Sequence, residues 1–243
     1  MLRFSDGRNF ARTFTGLALI VGPLLLLIAQ IIQPDIDHGG SVSDKLKELA
    51  DVASHKGAYL TGGILFLFAG LITSAGAVGL IHFFRGRKVT LGQIASALVA
   101  MGAAASMVFY GYGSVEYEMV NHSNLNRGQM AQLLHATNMP ASGAPVFLMF
   151  LIGVVVGLIL LGIACWRSRV VPVWASVLII AAGILAFFGP SKVVSIISFI
   201  VLTAGLGTLG WTILKSSDES WDAPRAQPAA ARGAGTPGEA TPA

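Results

Sequence analysis

Charge is scarce in this chain. Only 12% of its 243 residues are charged, while 54% are hydrophobic; a soluble domain carries about 25% charged residues. Cysteine is nearly absent. Cys165 stands alone, so no disulfide forms within the chain, and it reads as an inert side chain facing apolar neighbours. No Asp, Glu, Lys or Arg falls near the middle of any apolar run. That argues against a proton-coupled pump, which keeps costly ionisable groups inside the membrane. Histidine is sparse too. His82 is the one histidine inside an apolar run and sits at its end, where it reads as interfacial, so the paired ligands of a two-haem electron carrier are missing. The chain has no P-loop, G-x-S-x-G, H-E-x-x-H or C-x-x-C. Nucleotide-driven transport and serine or zinc hydrolysis in their usual forms therefore have no support, and no cofactor is expected. No basic patch alternates with exposed aromatics, which argues against nucleic acid as a partner.

What the chain does have is six long apolar runs, at 13–32, 58–84, 91–112, 144–166, 171–188 and 193–214. About 20 apolar residues cross the hydrocarbon of a bilayer. The fifth run is the shortest. The first follows Arg3, Arg8 and Arg12, but it is too long for a signal peptide, and "IAQIIQP" offers no small-x-small cleavage site. It reads as an uncleaved first helix. The expected fold is all-α: a polytopic bundle of six transmembrane helices, with two short outer amphipathic helices. Residues 1–12 would form an N-terminal segment and 13–214 the membrane domain, with outer segments at 33–57 and 113–143. Residues 215–243, rich in Pro, Ala, Gly and Ser, would be a disordered tail.

Basic residues orient the runs. One set of flanks holds Arg3, Arg8, Arg12, Arg85, Arg87, Lys88, Arg167, Arg169, Lys215, Arg225 and Arg232; the other holds Lys45, Lys47, Lys56, Arg127 and Lys192. Eleven against five places both termini in the cytoplasm and the protein in the cell (inner) membrane.

Two outer segments are longer than a connector needs. Leu46, Leu49, Ala50 and Val52 or Ala53 form the stripe of a short amphipathic helix, with Ser43 as its expected N-cap. Met130, Leu133 and Leu134 form a similar stripe that Pro140 ends. His55 and His135, the Phe66 and Phe147 clusters, and the turns at Arg85 and Arg167 recur at nearly constant spacing. This suggests a parallel repeat of ascending helix, outer helix and descending helix. Small residues at Gly153 and Gly157, at Gly102 and Ser106, and at Gly205, Gly207 and Gly210 offer close-packing faces, expected to work within the monomer before any dimer.

The most polar and aromatic stretch is "MVFYGYGSVEYEMVNH". If helix continues through it, Phe109, Tyr112 and Glu116 share a face, Tyr110 and Tyr117 lie beside it, and Glu118 turns away. A carboxyl kept from water by rings tends to hold its proton. It can then act as a general acid, with the rings stabilising a developing cation. Glu116 and Glu118 with Tyr110, Tyr112 and Tyr117 are the candidate catalytic residues; Phe109, His122 and His135 are candidates for holding substrate. The competing reading is an interfacial aromatic belt with solvated acids. His122 and His135 match no metal-site spacing with the two glutamates, and no metal is expected. Asp35, Asp37 and His38 read as a solvated turn on the same side.

In its runs "GLALIVGPLLLL", its basic turns "RGRKVT" and "RSRVVPVWASVL" and its low-complexity tail, the chain resembles small multi-pass membrane proteins of actinobacterial type. In size and helix count it also resembles integral-membrane terpene cyclases. That likeness implies an enzyme that starts cyclisation of an isoprenoid with an acid near the membrane, a role only Glu116 and Glu118 could fill. Three functions stay open. One is an intramembrane enzyme on an isoprenoid or lipid chain. Another is a non-enzymatic partner, small-solute transporter or export accessory. The last is an envelope sensor. The lipid bilayer is the expected partner in each.

Overall fold

The computed structural model describes residues 7–36, 40–86, 89–122, 124–137, 144–188, 191–217 and 221. Every regular element among them is helical. Long helices α1 (Gly7–Ile32), α3 (Lys56–Gly86), α4 (Thr90–Asn121) and α9 (Lys192–Lys215) carry the apolar runs. A fifth rod is built from α6 (Ala144–Leu151), a π-helical turn (Ile152–Val156) and α7 (Gly157–Ser168). These five are long and apolar enough to cross a membrane. The fifth apolar run forms only α8 (Val173–Leu185), whose 13 residues fall short of the expected span. Two short helices, α2 (Val42–Ser54) and α5 (Arg127–Thr137), pack on each other. The order long, short, long thus occurs twice, as α1–α2–α3 and as α4–α5–α6/α7.

The rods form a closed ring. α1 packs between α3 and α9, α4 between α3 and the α6/α7 rod, and α8 between α7 and α9. Lys192 Nζ, at the start of α9, donates to the Gln33 carbonyl at 2.7 Å, so α9 begins where α1 ends. At the opposite end Arg12 Nη1 donates to the Leu214 carbonyl at 2.9 Å and also to that of Ser216. We call this the termini end, and the end carrying α2 and α5 the cap end.

Apolar side chains point both ways. Thr15, Ala18, Leu19 and Ala29 of α1 are buried, while Leu17, Val21, Leu24, Ile28 and Ile31 line its outer face and are exposed. In water such a stripe would be an aggregation site; a helix apolar all round belongs in lipid. The termini end is solid: Leu161, Cys165, Val171, Phe83, Phe84, Leu209 and Ile213 pack together around Trp221. Trp221 belongs by sequence to the 215–243 segment, yet it is 1% exposed, with its ring tilted against those of Phe83 at 5.6 Å and the exposed His82 at 5.7 Å. Arg12 ties the last turn of α9 into this floor by satisfying carbonyls that no helical N–H can reach. Arg12→Met should cost about 1.5–3 kcal/mol of stability, read as a lower thermal midpoint of the solubilised protein. An unchanged midpoint would mean the contact contributes nothing.

Backbones touch at two crossings. A Cβ on Gly102 of α4 would lie 2.6 Å from the Val154 nitrogen, and one on Gly16 of α1 would lie 2.9 Å from the Gly210 carbonyl oxygen. Gly153 and Gly157 both face α4, so the small-residue pair at 153 and 157 works within the chain. The π-helical turn starts one residue before Gly153. Of the three glycines inside α9, Gly205 packs against Ile179 of α8 and Gly210 against Gly16 of α1, while a Cβ on Gly207 would meet nothing within 4 Å, so Gly207 is not part of the packing face.

The cap departs from the expected faces. The N-cap of α2 is Ser41, not Ser43: Ser41 Oγ accepts from the Asp44 N–H at 3.2 Å, and the Asp44 carboxylate accepts from the Ser41 N–H at 3.2 Å. Glu48, Leu49 and Val52 are the buried residues of α2, while Leu46 is 40% exposed. The face is rotated because Lys45 and Glu48 turn inward as a pair, Nζ to Oε2 at 2.5 Å, and so neutralise each other. In α5, Met130 and Ala131 are buried and Leu133 is 53% exposed. Pro140, Asp37 and His38 lie outside the described residues.

Candidate functional site

Between the packed floor and the cap lies a cavity of about 520 Å³. Small-molecule sites typically measure about 300–1,000 Å³. All six rods contribute to its wall. Leu26, Val99, Leu158, Leu202 and Leu206 line its inner end, and Phe66, Phe147, Phe150 and Phe199 surround its middle. Its few polar groups are Gln30, Gln33, Tyr59, Thr73, Ser106, Ser195 and Ser198. Two of the hydroxyls bond locally: Ser106 Oγ donates to the Ala103 carbonyl at 2.7 Å and Ser198 Oγ to that of Ala182 at 3.3 Å. The remainder sit mostly in the last turn of α1 and the first turns of α3 and α9, at the cap end.

Tyr59 joins cavity and cap. It sits in the first turn of α3, is 5% exposed, and packs with Leu49, Val52, Val120 and Met130 of the cap. Its hydroxyl donates to Glu116 Oε2 at 2.7 Å. Glu116 can meet it because α4 does not stop at the membrane edge. Its 32 residues rise about 48 Å at 1.5 Å per residue, well past the roughly 30 Å of hydrocarbon. Gly113, one turn before Glu116, opens the way: a Cβ there would lie 2.9 Å from the Tyr59 oxygen. The Lys45–Glu48 pair of α2 is near enough for both charges to act on Glu116, Glu48 repelling it and Lys45 attracting it. Tyr59, Glu116, Lys45 and Glu48 therefore make a sheltered polar layer between an apolar chamber and the cap.

Helix does continue through the aromatic stretch, to Asn121. Of the expected site residues, Glu116 is half-buried and reaches the cavity only through Tyr59. Tyr117 is half-buried against the cap cluster. Glu118 is exposed and lies 3.7 Å from His122 Nε2, one turn on. His135 is also exposed, with Nδ1 2.6 Å from the Gly40 carbonyl oxygen. Glu118, His122 and His135 are therefore not brought together with Glu116. Phe109, Tyr110 and Tyr112 lie on the helix, but their side chains are outside the described set. Among the described residues no three His, Cys, Asp or Glu side chains converge as metal ligands.

Gln30, Gln33, Tyr59 and Ser195 were not singled out in the sequence. The one usable signal was a pair of carboxamides, rare inside apolar runs, three residues apart in "IAQIIQP".

No curated protein and no solved structure matches the chain. Nothing found supports the likeness to terpene cyclases. Residues 14–215, the whole ring together with its cap, match a family model described as a domain of unknown function (DUF4386), and the chain belongs to that family.

Proposed function

We propose that this membrane protein receives one apolar chain, of the isoprenoid or lipid class, in the chamber at the centre of its helical ring. The observation that carries the reading is the cavity itself: an apolar wall built by all six rods, closed by packed side chains at the termini end and topped by the Tyr59–Glu116 bond. Apolar walls with a few placed polar groups are the usual make-up of such sites. We read the chain as crossing the bilayer six times, with α8 as a short fifth crossing, because it must carry the chain from Val171 at the floor back to Lys192 beside Gln33. Both termini are then cytoplasmic, by the bias of basic residues, and the cap faces outward. The repeated order of long, short and long helices supports the parallel-repeat reading.

A catalytic form of this reading keeps Glu116 as the acid, with Tyr110, Tyr112 and Tyr117 as its candidate partners: the Tyr59 hydroxyl turns from Glu116 to the chamber, gives its proton to the chain and takes the carboxyl proton of Glu116 in return. It is supported by the placement of that carboxyl one hydrogen bond from the chamber. The test separates binding from chemistry. In proteoliposomes, a photoreactive isoprenoid should label peptides containing Phe147 or Phe199, and Glu116→Gln should retain the labelling while losing any conversion of the chain. Labelling confined to outward residues such as Leu71 and Trp211 would remove the chamber from the function. Conversion at the native rate by Glu116→Gln would remove Glu116 from the chemistry. Binding without conversion by the native protein would favour the carrier or sensor readings.

A further inference from the structure

Two carboxamides stand where the chamber meets the cap. Gln30 and Gln33 both line it, and neither side chain has a hydrogen-bond partner among the described residues. Ser195 lines it as well and is likewise unpartnered. This is unusual within α9, where Thr203, Thr208 and Thr212 each donate to the carbonyl four residues earlier. All three are half-buried, and deeper in the wall Thr73 Oγ1 is buried without a partner; a ligand that fills the chamber takes water from these groups, and polar groups left dry without partners are costly. Tyr59 spends its proton on Glu116, so its oxygen can only accept a further bond. Amide donors, amide acceptors and hydroxyls therefore meet at one end of an otherwise apolar chamber.

Charge is missing from the chamber wall itself. Among the described residues no Lys, Arg, His, Asp or Glu lines the chamber. Lys192, beside the lining residue Gln33, points its ammonium at the Gln33 carbonyl. Lys45 is paired with Glu48. A diphosphate or phosphate head would lack the fixed, charge-assisted donors that such groups usually meet. A plain hydrocarbon would leave the three groups unsatisfied.

We propose that the ligand is an apolar chain with an uncharged, hydrogen-bonding head, such as an alcohol, a quinone or an amide. Gln30, Gln33 and Ser195 hold the head, and the tail runs inward toward Val99 and Leu206. This rests on the chain-binding reading above and narrows it. A head that both donates and accepts is preferred, because a carboxamide offers both roles.

Three probes with one tail test it: farnesol, farnesene and farnesyl diphosphate, titrated against the purified full chain in nanodiscs. Farnesol should bind at least about tenfold more tightly than either of the others. The double variant Gln30→Leu, Gln33→Leu should drop farnesol to the farnesene level and leave farnesene binding unchanged, the latter showing an intact chamber. Tightest binding by the diphosphate, or a farnesol preference that survives the double variant, would overturn the head assignment. If all three bind alike, the chamber still takes chains and only the head assignment falls. If none binds, the chain-binding reading fails and takes this inference with it.

Discussion

Alanine at position 102 should destabilise the protein by about 1–3 kcal/mol, the range for overpacking a close contact, whereas alanine at position 207 should stabilise it by about 0.5–1 kcal/mol. The two substitutions add the same methyl group to a helical glycine. At Gly207 a Cβ meets nothing within 4 Å, so the only effect is a better helix former. At Gly102 the methyl would sit 2.6 Å from the Val154 backbone nitrogen, and backbone cannot swing away as a side chain can. The crossing of α4 with the π-helical turn would have to open. Gly102→Leu should go beyond about 4 kcal/mol, a loss reserved for such steric conflicts, and should leave little monodisperse protein after extraction. Thermal midpoints of the two alanine variants decide the matter. Equal behaviour would mean that α4 and the fourth apolar run do not touch at Gly102.

Filling the chamber should have the largest effect on ligand. Ala103 lies on its wall and is 8% exposed. Ala103→Phe projects a ring into the space a chain would occupy, and binding of a farnesyl-length probe should fall by about tenfold or more, equivalent to about 1.4 kcal/mol. The reverse change is Phe199→Ala, which removes a ring from the same wall. It should keep binding and shift the preference toward longer or branched chains, because vacated apolar space is filled by ligand more readily than by water. Were Ala103→Phe to fail to fold, the Phe199→Ala shift alone would still report on the chamber. Identical chain-length profiles for native and Phe199→Ala protein would mean that the chain is held elsewhere.

Much of the architecture was legible before any coordinates. Long apolar runs leave little choice but helices, and five of the six expected spans appear with ends within a few residues of those expected, apart from the extension of α4 to Asn121 and of α1 back to Gly7. The face of α2 was not legible. Periodicity chose Leu46 over Lys45, because it cannot foresee that a lysine and a glutamate three residues apart will turn inward together. The π-helical turn at Ile152–Val156 was equally hidden, since it lies against Gly102 of α4, a contact that no single apolar run reveals. The chamber was hidden for a deeper reason. In lipid, residues that line an internal apolar space and residues that face the bilayer have the same composition, so Leu206 and Leu71 look alike in sequence. Glu116 was found because a carboxyl stands out there; its partner Tyr59 was not, because one tyrosine at a helix start is unremarkable.

The short α8 has a consequence for the membrane around the protein. On the six-crossing reading proposed above, thirteen residues rise only about 20 Å, roughly 10 Å less than the hydrocarbon they would cross. Phe187 and Phe188 follow that helix, 63% and 69% exposed. Lipids abutting this flank must tilt or shorten to cover it, at a modest cost for each ångström of mismatch. On that reading the leaflet dips here, and the protein should partition toward thinner membranes.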